Sequence, residues 1–204
     1  MRNKNLVYQK LCKKVAEHVE MLFALYWTPE LVYHDLQHTE LVVKRAMEIA
    51  ADYCLSQEEK FILYVAAWFH DTGQLLVPPA SHEVRSVELM SVFFQEQKIS
   101  QPFIESVKQC ILATRLTTEP TGTLEMILCD ADTFNLGTAS FRLTDDMVRQ
   151  EFQLRNAMPS GDWNENTLKL LKNHRFYTPY CIERLTEGKI ENIALVESKI
   201  AGRT

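Results

Sequence analysis

Four of the six histidines fall between positions 34 and 82, close to carboxylates. His34 and His38 stand four apart in YHDLQHT, a spacing that puts both on one face if the segment is helical. Imidazole nitrogen suits Mn, Fe, Co, Ni or Zn; alone, the pair also fits two surface histidines at a helix start. His70-Asp71 ends the apolar run Ala66-Ala67-Trp68-Phe69. Burying an unpaired carboxylate there is costly, and a cation accepting both side chains removes that cost. The other reading, an exposed Asp71, sets an acid at the negative end of a helix dipole. Asp130 and Asp132 also interrupt an apolar helix, in LCDADTF. Two residues apart, they point to nearly opposite sides, so one of them is expected to reach a metal. The other orients a ligand, caps a neighbour or faces solvent. His82-Glu83 opens the helix after the doublet, with or without a role. Lys44, Arg45, Arg85 and Arg115 are available cations, each expected to be solvated.

The elements that must hold these residues read as helices almost throughout, because apolar residues recur at helical spacing. Leu6–Leu25 forms one helix, broken by Trp27-Thr28-Pro29, and Leu36–Tyr53 a second. Ser56 with Glu59 forms a capping box that opens a third helix, which ends near Gly73. Further helices are expected over His82–Gln97, Pro102–Ala113, Leu124–Leu136, Thr144–Asn156, Trp163–Lys172 and Pro179–Ile200. No internal repeat or linker interrupts them. The expected architecture is all-α: a single domain over residues 1–204, with a motif core at about 30–140 and a C-terminal helical extension at about 141–204.

Composition excludes some functions. A formal net charge of -5 argues against long nucleic acid as a partner. The five cysteines are odd in number, widely spaced and without a CxxC pair, so they read as buried free thiols in a reducing compartment. MRNKNLVYQK lacks the apolar stretch of a signal peptide, and no apolar run reaches membrane-spanning length. A cytoplasmic protein without a membrane partner is expected.

The ordered set His38, His70-Asp71 and a late aspartate resembles the H…HD…D signature of the HD superfamily of metal-dependent phosphohydrolases. YHDLQHTELVV resembles the family's YHN-x-x-H-T start, WFHDTG its HD-x-G, SHEVRSVELM its HE-x-x-S helix, and DADTFNLG its DAD-L-x-x-L-G helix. The resemblance spans about residues 30–140, and NHRFYTPY also looks like the extra helical segment of small HD proteins. It implies an HD-type helical bundle with additional C-terminal helices. It assigns His38, His70, Asp71 and Asp132 to a divalent ion (Mn, Fe, Co, Ni, Zn or Mg), with Asp130 as the alternative ligand or behind it. It implies that His82 lies beside the attacked phosphate; in the mechanism expected here Asp71, or an acid near it, orients or deprotonates water, and His34 is a further, weaker candidate for the work of His82. The implied reaction is hydrolysis of a small phosphorylated metabolite, foremost a nucleotide phosphomonoester. The alternatives are a phosphodiesterase or pyrophosphohydrolase, and a non-catalytic metal-binding or ligand-sensing module. Asp35 departs from the family's frequent Asn. Gln74, where some relatives carry a Glu proposed as base, cannot act as one and favours the non-catalytic reading. The GYP element of the cyclic-dinucleotide phosphodiesterases is absent, as is the extra histidine pair of their second metal site.

Overall fold

The computed structural model describes residues 2–95, 97 and 99–202, with side chains from Tyr8 onward. The α-helices are α1 (Arg2–Tyr26), α2 (Leu36–Ala50), α3 (Gln57–Phe69), α4 (His82–Gln95), α5 (Gln101–Ala113), α6 (Thr123–Asp132), α7 (Phe141–Leu154), α8 (Trp163–Asn173) and α9 (Pro179–Ala201). Short 3-10 turns cover Thr72–Leu75, Pro79–Ser81 and Phe134–Gly137. Among the described residues there is no strand, and no helix is long and apolar enough to cross a membrane.

The centre of the fold is α3. Phe61, Ile62, Leu63, Val65, Ala66, Ala67, Trp68 and Phe69 are all buried, so this helix is apolar almost all round. It packs against α1, α2, α5 and α6. The expected capping box starts it: the Glu59 amide donates to Ser56 Oγ at 3.2 Å and the Ser56 amide to Glu59 Oε2 at 2.7 Å. A helix buried on every side can carry polar groups only at its ends, and His70-Asp71 follows the last residue of this one.

Several boundaries differ from expectation. The helix expected to run to Leu136 stops at Asp132, and a 3-10 turn completes the segment. That turn packs closely on α9: a Cβ on Gly137 would meet Leu185 Cβ at 2.5 Å, and one on Gly188 would overlap the Gly137 carbonyl. The α7 helix ends at Leu154 rather than Asn156, whose φ of 52° is left-handed and stops the helix. The α2 helix ends at Ala50; α4 covers His82–Gln95, and residue 96 of the helix expected to reach Gln97 lies outside the described residues. The thiols are free, but only Cys110, Cys129 and Cys181 are buried. Cys12 is partly buried and Cys54 exposed, in the short connection after α2, which corrects the expectation of five buried cysteines.

The turn after α3 leaves no room for a side chain at Gly73. A Cβ there would overlap the His82 carbonyl and approach the Ser86 amide nitrogen to 2.9 Å. The Gly73 amide instead donates to Ser86 Oγ at 2.8 Å, which seats the start of α4 against the doublet. Gly73→Ala is expected to lower the melting temperature, by overpacking of about 1–3 kcal/mol. A thermal melt beside the wild type would check this.

Candidate metal centre and cleft

His38 is brought to the centre by the cap of α2. Asp35 is the N-cap, and its Oδ1 accepts the His38 amide at 2.8 Å. The departure from Asn at this position is thus a carboxylate serving a cap equally well. His70 is oriented by its own helix, because Nδ1 donates to the Ala67 carbonyl at 2.8 Å. That bond leaves Nε2 with its lone pair toward the centre, the usual arrangement behind a metal-binding imidazole. Asp71 follows immediately, and Asp132 arrives from the last residue of α6.

The four side chains converge. One ligand atom from each of His38, His70, Asp71 and Asp132 lies within 4.8 Å of all the others. His38 Nε2 is 3.4 Å from Asp71 Oδ2 and 3.3 Å from Asp132 Oδ1; His70 Nε2 is 3.3 Å and 3.4 Å from the same two oxygens. Two donors about 2.1 Å from one ion are about 3.3 Å apart when they subtend roughly 105°, so the spacing fits a shared cation. His38 Nε2 and His70 Nε2 are buried with no hydrogen-bond partner among the described residues, as expected of lone pairs meant for an ion. Burial disfavours charge on both imidazoles, yet the two carboxylates outweigh it. His38 is raised to about 9, and His70 lies well above its ordinary value. Burial likewise pushes Asp71 and Asp132 up, but the imidazoles hold both below the carboxylate range. The cluster therefore draws positive charge, and the residues present fit a divalent ion.

Two more histidines flank the centre. His82 Nδ1 contacts the Pro79 carbonyl at 2.6 Å, and its Nε2 lies 3.0 Å from Asp71 Oδ1. Both partners accept, so both ring nitrogens donate, and Asp71 outweighs burial to raise His82 to about 9. His34 does not share a helical face with His38, which corrects the expectation from their spacing; it precedes the N-cap in a bend. It is placed instead by Glu151 of α7, a fully buried residue. Glu151 Oε1 accepts from His34 Nδ1 at 2.6 Å, and Oε2 takes the Tyr33 and His34 amides at 2.8 and 2.9 Å. Burial raises the Glu151 carboxyl, but these donors prevail and hold it at about 2. His34 Nε2 is left 3.9 Å from Asp71 Oδ2.

Sequence reading missed Glu151 and Arg155. At i and i+4 on a helix they resemble an ordinary solvated pair. In the fold Arg155 reaches Gln74 Oε1 at 2.6 Å, the Gln74 carbonyl at 3.0 Å and the Val77 carbonyl at 2.7 Å. Gln74 is thus a tie for the loop after the doublet. Lys44 is exposed, Arg45 pairs with Glu48 at 2.7 Å, Arg85 pairs with Glu88 at 2.7 Å, and Arg115 lies 3.4 Å from Glu83.

Asp130 turns away from the centre. Its Oδ1 accepts the Tyr177 amide at 2.9 Å; its Oδ2 accepts the Thr178 amide and hydroxyl at 2.7 and 2.6 Å. These bonds anchor the start of α9. Asp130→Ala is expected to keep its metal while losing roughly 3–5 kcal/mol, less than the sum of three hydrogen bonds at about 1.5–3 kcal/mol each because they share one carboxylate and are not additive. Asp132→Ala is expected to lose the metal. Metal analysis beside a thermal melt separates the two, and the reverse pattern would move the ligand to Asp130.

The centre opens into a cleft of about 930 Å³, within the size of small-molecule sites. Asp71, Asp132, His34 and His82 line one part of it; Phe141, Val148, Phe152, Trp163 and Leu170 of the C-terminal helices line another.

An all-helical fold carrying a two-histidine, two-aspartate centre defines a class of helical domain able to hold a metal ion. The HD domain family model matches residues 35–136, half of the chain, and the chain belongs to that family. HD domain proteins are commonly metal-dependent hydrolases, and the cluster here is able to hold a divalent metal. No match was found among curated proteins. A structural-genomics crystal structure of a protein from Lactobacillus plantarum superposes with a TM-score of 0.66, over 93% of this chain and 96% of that one. At 14% identity this likeness concerns the fold.

Proposed function

We propose that the protein is a metal-dependent phosphohydrolase acting on phosphomonoesters of small metabolites, foremost nucleotides. The observation that carries the reading is the centre of four converging donors, open to a ligand-sized cleft and flanked by two further histidines with defined hydrogen bonds. His38, His70, Asp71 and Asp132 would hold the ion, an N/O set suited to Mn, Fe, Co, Ni or Zn and compatible with Mg. When bound, such an ion supplies Lewis-acid polarisation of a phosphoryl oxygen and lowers the pKa of water.

The remaining chemistry falls to the chain. Asp71 has Oδ1 engaged by His82 and Oδ2 among the imidazoles, which suits holding and orienting more than proton removal. The freer acceptor is Nε2 of His34, whose Nδ1 proton is held by Glu151. We assign to it the proton of the attacking water. His82 holds a proton at Nε2 and gives it to the leaving oxygen as the phosphorus–oxygen bond breaks. Water and ester thus yield phosphate and alcohol, with one proton taken up and one released.

A monoester suits the cleft better than a pyrophosphate. The guanidinium groups lining it among the described residues are Arg155, committed to Gln74 and Val77, and Arg115, facing Glu83. Further phosphates would find little positive charge beyond the centre. Because Gln74 has a structural partner, its lack of basicity does not argue for a sensor. The free thiols support a reducing, cytoplasmic setting, and the net charge supports small substrates over long nucleic acid or membrane. Phosphomonoesters, phosphodiesters and nucleoside triphosphates assayed with Mn, Co, Ni and Mg test the reading. Metal-dependent release of phosphate from monoesters is expected. Turnover of diesters or triphosphates alone would replace it with the corresponding alternative, and none with any substrate would leave a binding module.

A further inference from the structure

The cleft wall formed by α7 carries one acid, beside Thr144 and among apolar residues. Phe141, Asp145, Val148 and Phe152 follow at helical spacing and all line the cleft. Asp145 is only 8% exposed. Its Oδ1 accepts from Trp163 Nε1 at 3.0 Å and from Thr167 Oγ1 at 3.1 Å. Its Oδ2 takes no hydrogen bond among the described residues, although the residue faces the cleft. Trp163 and Thr167 therefore anchor Oδ1 and leave Oδ2 without a donor among the described residues.

Asp145 Oδ2 is not among the buried side-chain atoms that lack a partner, so it is reachable from the cleft rather than sealed inside the protein. Burial pushes the Asp145 carboxyl above its ordinary value, against the opposing pull of Trp163, Thr167 and the Lys199 cation. The apolar residues around it suit a ring or other uncharged body.

We propose that Asp145 is a specificity-determining residue: its free oxygen accepts a hydrogen bond from a hydroxyl or N–H group on the uncharged, ring-bearing body of the substrate, while the phosphate lies at the metal centre. The assignment of the phosphate end rests on the phosphohydrolase reading; the Asp145 subsite does not. The chemistry fits a nucleoside body, which presents sugar hydroxyls and base N–H groups beside a flat apolar ring.

The experiment couples a change in the protein to a change in the ligand. Wild type and Asp145→Asn are compared on 5′-mononucleotides and on 2′-deoxy, 3′-deoxy and base-N-methylated analogues of each, with p-nitrophenyl phosphate as a substrate lacking such donors. In wild type, removing the donor read by Asp145 should lower kcat/KM about tenfold or more, the discrimination expected of a site built to meet a donor. In Asp145→Asn the same removal should cost little, and the variant's loss should be at least tenfold greater on intact mononucleotides than on p-nitrophenyl phosphate. Equal losses on both substrates, or additive losses across the cycle, would make Asp145 a structural residue and overturn the proposal. If Asp145→Asn does not fold, the analogue series on wild type alone decides, and no discrimination between analogues overturns it. If wild type hydrolyses no phosphoester, the phosphohydrolase reading fails separately. Equilibrium binding of the nucleosides to wild type and variant then reads the subsite, and equal affinity for both proteins overturns it.

Discussion

Asp71→Ala and His70→Ala should each release the metal and abolish turnover. Wild-type protein is expected to carry about one ion per chain, and each variant almost none. The reason is convergence. His70 Nε2 and Asp71 Oδ2 are 3.3 Å apart and share the centre with His38 and Asp132, so removing one unbalances the rest. Loss of Lewis-acid stabilisation of several kcal/mol corresponds to a fall of roughly 10³-fold or more in rate. Asp71→Ala has a second consequence, because Asp71 Oδ1 is the partner that holds His82 Nε2 at 3.0 Å. Its activity should therefore return less than that of His70→Ala when excess metal is added. Metal analysis with and without added Mn would check both points. Full metal retention in both variants would remove the centre from the mechanism.

His82→Ala should keep the metal and lose turnover. General acid catalysis contributes about 10²- to 10⁴-fold, and a loss of that size is expected with alkyl phosphates. With p-nitrophenyl phosphate the loss should shrink, because that leaving group departs without a proton. The geometry motivates this: two acceptors, the Pro79 carbonyl and Asp71 Oδ1, keep both ring nitrogens protonated. Equal losses on both substrates would make His82 a phosphate-positioning group. No loss on either would leave His34 with Glu151 as the pair to test next.

Much of the centre was legible before any coordinates. The HD doublet at the end of an apolar helix, a histidine before it and an acid pair after it are local patterns with local causes. An all-round apolar helix can present polar groups only at its end, and a buried acid there needs a counter-charge. The capping box at Ser56 was legible for the same reason, since its partners are three residues apart. The choice between Asp130 and Asp132 rested on resemblance. In the fold, Asp130 faces Tyr177 and Thr178 just before α9, 47 and 48 positions away in the chain, and no spacing within DAD indicates those partners.

His34 shows the limit more sharply. Its four-residue spacing from His38 suggested a shared helical face, yet the helix begins after Asp35 and the ring is placed by Glu151. Glu151, Arg155 and Asp145 had no signal of their own, because an acid or an arginine on an amphipathic helix usually faces water. What the sequence by itself determined is the helical class, the family motif and the residues that can ligate a metal, since these follow from periodicity and from residue types at short range. The tertiary structure alone decided which histidine gained a buried carboxylate behind it, which acid turned toward α9, and which acid was left facing the cleft with one free oxygen. Those roles depend on what lies opposite a side chain once distant helices have packed, and burial is what turns an ordinary surface charge into a group that must find a partner.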